Sequence, residues 1–170
     1  MSSANDIGFI SMPGARALAY MDVFSELGKF PSCIVKLHTP HLDRTLTALK
    51  NISQSYISME NDEESLSRKA DIPCYSVECT NINDDEVLSL LQKTGIKTWV
   101  FSGGGIVKPH FFEAGIRFLH IHPGQLPEVR GSTCFYYSLL CDNTLAATAF
   151  FLTEEIDAGE SIACSHFEVN

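Results

Sequence analysis

Positive charge is scarce in this chain. Twelve lysines and arginines stand against 21 aspartates and glutamates, a formal net charge of −9 over 170 residues. The basic residues are scattered rather than clustered, so a polyanion meets repulsion and no nucleic-acid partner is expected. Long apolar runs are absent too. None approaches the ~20 residues that span a bilayer, and no membrane partner is expected. The opening residues, Met1-Ser2-Ser3-Ala4-Asn5-Asp6, have neither the charged start nor the apolar stretch of a secretion signal. The six cysteines (Cys33, Cys74, Cys79, Cys134, Cys141 and Cys164) include no CxxC pair. They lie in apolar stretches and read as reduced, buried, small hydrophobes, which gives a cytoplasmic expectation. Internal repeats and low-complexity tracts are missing as well. What remains is 45% hydrophobic and 19% charged, with a mean hydropathy of +0.04. That is too apolar for intrinsic disorder as an overall description, and the length suits one domain, over residues 1–170.

Short apolar runs alternate with amphipathic stretches. Ile7 to Met12 reads as a strand, and Ala15 to Leu27 as a helix with apolar residues at helical spacing, stopped by Gly28. Ser32 to Leu37 reads as a strand buried on both faces. The polar segment 39–60 reads as a partly ordered excursion, and the acidic run from Glu60 to Glu64 opens a helix through Ala70. Pro73 to Val77 is a further strand. A helix capped by Asp84 or Asp85 ends at Gly95. Strands follow at Lys97 to Ser102 and Ile116 to His122, then a helix at Ser132 to Leu140. Two last strands, Thr144 to Leu152 and Ser161 to Val169, flank a polar loop at 153–160. The alternation predicts an α/β fold, a Rossmann-like sheet parallel in its first half and flanked by helices. Ligands of such sheets bind beyond the carboxyl ends of the strands, where residues 102–105 and 120–124 fall.

His120-Ile121-His122 is the most informative tripeptide. Strand alternation puts both imidazoles on one face, and Pro123-Gly124 ends the strand beside them. Spacing alone leaves three readings open. The histidines are hydrogen-bonded residues at a sheet margin, or metal ligands completed by Asp157, or acid/base groups that need an orienting carboxylate and an oxyanion donor. Trp99 and Phe135-Tyr136-Tyr137 read as core and helix packing.

The run His120-Ile121-His122-Pro123-Gly124-Gln125-Leu126-Pro127-Glu128-Val129-Arg130-Gly131 resembles the signature of the folate-dependent formyltransferases, which act on glycinamide ribonucleotide, methionyl-tRNA and amino-sugar nucleotides. That signature is Asn-x-His-Pro-Ser-x-Leu-Pro-x-x-Arg-Gly, followed by Asp-x-Gly. Here the second part is Asp157-Ala158-Gly159, with Thr148 upstream where the family usually keeps a threonine. Ala70-Asp71-Ile72-Pro73-Cys74 is similar to the family's helix-to-strand step, and Ser102-Gly103-Gly104-Gly105-Ile106 to the loop after its fourth strand. The resemblance runs from about Ile7 to the C-terminus and is strongest from Trp99 onward.

The resemblance implies transfer of a formyl group from N10-formyltetrahydrofolate, as co-substrate, to a primary amine of a small acceptor such as an amino-sugar nucleotide. His122 then stabilises the oxyanion and moves a proton, with Asp157 as its partner and no metal. Ser102, Gly103, Gly104, Gly105 and Ile106 would line a pterin slot, whose bare backbone permits close approach. Thr153, Glu155 and Ile156 would close its other side, while Glu154 reads as solvated loop charge. Pro123, Gly124, Arg130 and Gly131 would meet the acceptor.

The family's catalytic asparagine is replaced by His120, and Phe150 stands where some members keep a further histidine. His120 Nδ1 reaches about as far as the asparagine amide but offers a single donor. A working variant with His120 as donor is the expectation. The alternatives are a weakened or inactive binding domain, and a metal-dependent hydrolase built on His120, His122 and Asp157. The family usually continues with another helix and often a further domain, so two expectations stay open: a C-terminally truncated catalytic domain, or a minimal one that dimerises to cover its final strands. An uncovered edge strand would favour a homodimer.

Overall fold

The computed structural model describes residues 6–40 and 61–169. The excursion expected over residues 39–60 lies outside them except for its first two residues. The elements are β1 (Ile7–Ser11), α1 (Ala15–Leu27), β2 (Ile34–His38), α2 (Glu63–Ala70), β3 (Cys74–Glu78) and α3 (Asp85–Thr94). They continue with β4 (Thr98–Phe101), α4 (Pro109–Glu113), β5 (Arg117–His122), α5 (Cys134–Asp142), β6 (Leu145–Phe151) and β7 (Ser161–Phe167). All seven strands form one sheet in the order β3-β2-β1-β4-β5-β6-β7. The pairs among β1 to β5 are parallel, and β6 and β7 join antiparallel. Among the described residues no helix is long and apolar enough to cross a membrane.

Period-2 alternation explains how one sheet carries a core on each face. In β1, Phe9 packs with Ile34, Leu18, Met21 and Leu66 against α1 and α2. Its neighbour Ile10 points the other way, to Val35, Trp99, Phe101 and Phe118 under α3 and α4. The central strands are therefore apolar on both sides, as a helix-covered parallel sheet requires. Phe118 meets three aromatic rings, Phe101, Phe111 and Phe112, at centroid separations of 5.8 to 6.1 Å. Phe118→Ala is accordingly expected to cost about 3–5 kcal/mol, read as a lower midpoint with unchanged slope in urea unfolding.

Local chemistry sets the helix ends. Asp62 caps α2: its carboxylate accepts from the Ser65 amide, while Ser65 Oγ receives the Asp62 amide. Asp84 stands at the N-cap of α3, but its carboxylate turns back to the Thr80 amide and hydroxyl instead of the helix. Those bonds hold its pKa below the usual carboxylate range. Glu63 ties α2 to the sheet, accepting from Ser11 Oγ at 2.6 Å and facing Lys36 Nζ at 3.3 Å.

Three expectations need correction. The helix α4 was not anticipated, because five residues containing Phe111-Phe112 are too short to display a period. Tyr136 and Tyr137 are exposed rather than packed. Among the described side chains of α5 only the i, i+4 pair Cys134 and Ser138 is buried, so the Tyr136 and Tyr137 rings face outward. Cys33, Cys79 and Cys134 are buried and Cys74 partly so, but Cys141 and Cys164 are exposed; all six are free thiols. Every residue of the edge strand β7 is exposed, Cys164 among them.

Candidate active site

The parallel order places the carboxyl ends of β1, β4 and β5 side by side. The chain leaving each one contributes to a single cavity of about 350 Å³, within the ~300–1,000 Å³ usual for small-molecule sites. β5 delivers His120 and His122, both buried and two residues apart on one face. The loop after β4 contributes residues 103–107, and the loop after β6 residues 152–157. The chain after β5 contributes Pro123, Gly131 and Ser132. Gly103, Gly104, Gly105, Ile106, Thr153, Glu155, Ile156 and Asp157 thus share one cavity with the histidines.

Asp157 reaches the site through a tight turn. Its own backbone is left-handed, with φ +52°, a conformation aspartate tolerates better than most residues. Gly159 is sterically required there, since a Cβ would fall 1.6 Å from the Phe151 carbonyl oxygen. The turn aims Asp157 Oδ2 at the Gly131 amide, 2.8 Å away, and at His122 Nδ1, 3.6 Å away. The second distance is too long for a hydrogen bond but sets a carboxylate beside the ring. His122 Nε2 donates to the Val129 carbonyl at 2.7 Å, so the nitrogen left to exchange a proton is Nδ1, beside the carboxylate. Thr148 braces the connection from within: its hydroxyl donates to the Gly124 carbonyl and accepts from the Leu126 amide.

His120 is held differently. Arg16, in the first turn of α1, donates from Nη1 to the Gly103 carbonyl at 2.8 Å and faces His120 Nε2 at 3.3 Å. A guanidinium only donates, so Nε2 accepts, and Nδ1 carries the hydrogen directed at the Phe101 carbonyl, 3.1 Å away. Burial, together with the nearby Arg16 charge, pushes the ring's pKa down to about 4. A histidine that protonates less readily folded than unfolded stabilises the protein fully above about pH 6.5 and loses that contribution as pH falls toward 4. Relative to His120→Asn, the wild type is therefore expected to lose about 3 kcal/mol more stability by about pH 4, measurable by urea unfolding across that range.

Some predicted residues lie off the cavity wall. Ser102 staples two strand ends: its hydroxyl donates to the Ile10 carbonyl and accepts from the Met12 amide. Gly124 sits behind His122, where a Cβ would crowd the ring at 3.1 Å. Arg130 is exposed and donates to the Pro127 carbonyl. Arg16, Phe101, Val107, Ser132 and Leu152 line the cavity without having been singled out, and Glu154, read as solvated loop charge, lines it too. Of these Arg16 matters most, and only its position as a cation beside an otherwise apolar turn of α1 could have marked it.

No family model matches the chain, and neither does any curated protein. Solved structures do match. A glycinamide ribonucleotide transformylase of Symbiobacterium toebii superposes with a TM-score of 0.62 at 17% identity, over 95% of this chain and 72% of its own. The chain has the formyltransferase fold. Phosphoribosylglycinamide formyltransferase of Streptococcus pneumoniae gives 0.65 at 16% identity, over 97% of this chain and 83% of its own. A formyltetrahydrofolate deformylase of Pseudomonas syringae gives 0.61 at 17%, over 98% of this chain and 52% of its own. At these identities the likeness establishes architecture, and the chemistry rests on the side chains of this chain.

Proposed function

We propose that this protein transfers a formyl group from N10-formyltetrahydrofolate to a primary amine of a small acceptor, of which an amino-sugar nucleotide is one. The observation that carries the reading is the meeting of His122 and Asp157, 35 residues apart in sequence, at 3.6 Å on the wall of one cavity. The folate fits the residues present. Gly103 to Gly105 offer bare backbone to the edge of a flat heterocycle, and residues 152–156 line the same cavity. A side chain at Gly103 would collide with Phe101 and Met12, each within 2.5 Å of its Cβ, so the bare backbone is enforced by packing. Bound there, the folate supplies the activated formyl carbon. His122 would take the proton that the attacking amine sheds and deliver one to the departing folate nitrogen, with Asp157 coupled to Nδ1 throughout.

The metal-hydrolase alternative gains no support. One nitrogen of His120 donates to a carbonyl and the other faces a guanidinium, which leaves no lone pair for a cation and puts a like charge beside it. A non-catalytic folate-binding domain is the second reading, favoured by the same engaged His120. Incubation with N10-formyltetrahydrofolate and candidate amines, with mass detection of the N-formyl product, separates these readings. Turnover that survives a chelator supports the proposal, whereas folate binding with no product from any acceptor supports the silent domain.

A further inference from the structure

Formyl transfer needs a donor for the oxygen that becomes negatively charged. Resting on that reading of the site, the hydrogen bonds narrow the choice. His120, the expected donor, has its one N–H directed at the Phe101 carbonyl and its lone pair facing Arg16. His122 spends Nε2–H on the Val129 carbonyl and keeps Nδ1 beside Asp157. Neither ring has a donor to spare. Arg16 differs. Only Nη1 is engaged, by Gly103 and His120, and its other three N–H groups have no protein partner among the described residues. No carboxylate among those residues lies within ion-pair distance of it, although it lines the same cavity as Glu154, Glu155 and Asp157. A half-buried cation anchored on one side and unpaired on the other is preorganised to receive negative charge.

We propose that Arg16 is the oxyanion donor of this site, and that His120 is a positioning residue that holds the guanidinium in place. The amine nitrogen forms a bond to the formyl carbon, and the carbonyl π pair moves to oxygen, where Arg16 receives it by charge-assisted hydrogen bonds. Return of that pair breaks the bond from carbon to the folate nitrogen. The amine's proton leaves through His122 and the folate nitrogen gains one, giving an N-formyl product and tetrahydrofolate. The substitution of histidine for asparagine at position 120 is then functional: an imidazole with an accepting Nε2 can orient a guanidinium at the tip of the side chain.

The test follows tetrahydrofolate release from N10-formyltetrahydrofolate, with glycinamide ribonucleotide, an amino-sugar nucleotide and hydroxylamine as probe acceptors, and water alone for hydrolysis. A wild type that releases none with any of them overturns the formyl-transfer reading, and this role with it. With an active wild type, Arg16→Gln is expected to lower kcat by about 10²–10³, with the KM for folate changed less than about threefold. A non-transferable folate analogue should bind the variant as it binds the wild type. Added guanidinium ion should restore part of the rate to Arg16→Ala, and Arg16→Lys should fall between the wild type and Arg16→Gln. His120→Gln, whose amide oxygen can still accept from Arg16, should keep kcat within about tenfold, while His120→Ala should approach Arg16→Gln. An Arg16→Gln enzyme with wild-type kcat overturns the proposal. So does a kcat loss matched by an equal loss of analogue binding and without guanidinium rescue, which would make Arg16 only a brace for the glycine loop.

Discussion

Replacing His122 with glutamine is expected to lower kcat by about 10²–10⁴, the range that a positioned acid/base group contributes. Glutamine keeps an N–H that can reach the Val129 carbonyl, which His122 Nε2 now meets at 2.7 Å. It cannot gain and lose a proton at the position of Nδ1. The ring is almost wholly buried, with Phe150 edge-on at 6.3 Å and Cys134 Sγ at 3.3 Å, so part of any loss could come from packing. Two measurements separate the causes. Urea unfolding at neutral pH reports the packing change, and analogue binding reports the integrity of the cavity. A fall in kcat with both of those near wild type assigns the loss to proton transfer. A folded variant that turns over within about tenfold of wild type would remove His122 from the chemistry.

The sheet and the histidine pair were legible because they depend on local periodicity. Alternation alone put His120 and His122 on one face, and the apolar run of Cys33-Ile34-Val35 marked a strand covered on both sides, which β2 confirms with Ile34 and Val35 fully buried. The loops were legible through their punctuation, since Pro123-Gly124 stands where β5 ends and Asp157-Ala158-Gly159 shortly before β7 begins. What could not be read is what the topology alone creates. Arg16 and His120 are 104 residues apart, and they meet only because β1 and β5 both border β4 in the sheet order. Before that order is known, an arginine in the first turn of a helix reads as a solvated charge. The tautomer of His120 was equally hidden, because the Phe101 carbonyl that fixes it comes from a neighbouring strand. For α5 the sequence shows an apolar segment but not which face the sheet covers, and Tyr136 and Tyr137 fall on the uncovered side.

Asp157→Asn is expected to reduce kcat by about 10²–10³, within the same range for acid/base chemistry, while leaving the fold intact. Asparagine preserves the shape of the turn and retains an oxygen that can accept from the Gly131 amide, now bonded at 2.8 Å. What disappears is the negative charge 3.6 Å from His122 Nδ1, the nitrogen assigned to proton transfer. Asp157→Ala goes further. It also frees the Gly131 amide and places at φ +52° a residue that tolerates this conformation less well than aspartate, so it should raise KM as well as lower kcat. Comparing the two variants separates charge from loop position. Groups that act as one unit do not add, so His122→Gln combined with Asp157→Asn should be little slower than His122→Gln alone. If the two losses instead multiply, Asp157 acts independently of the imidazole, through the Gly131 turn, and the carboxylate belongs to substrate positioning rather than to proton transfer.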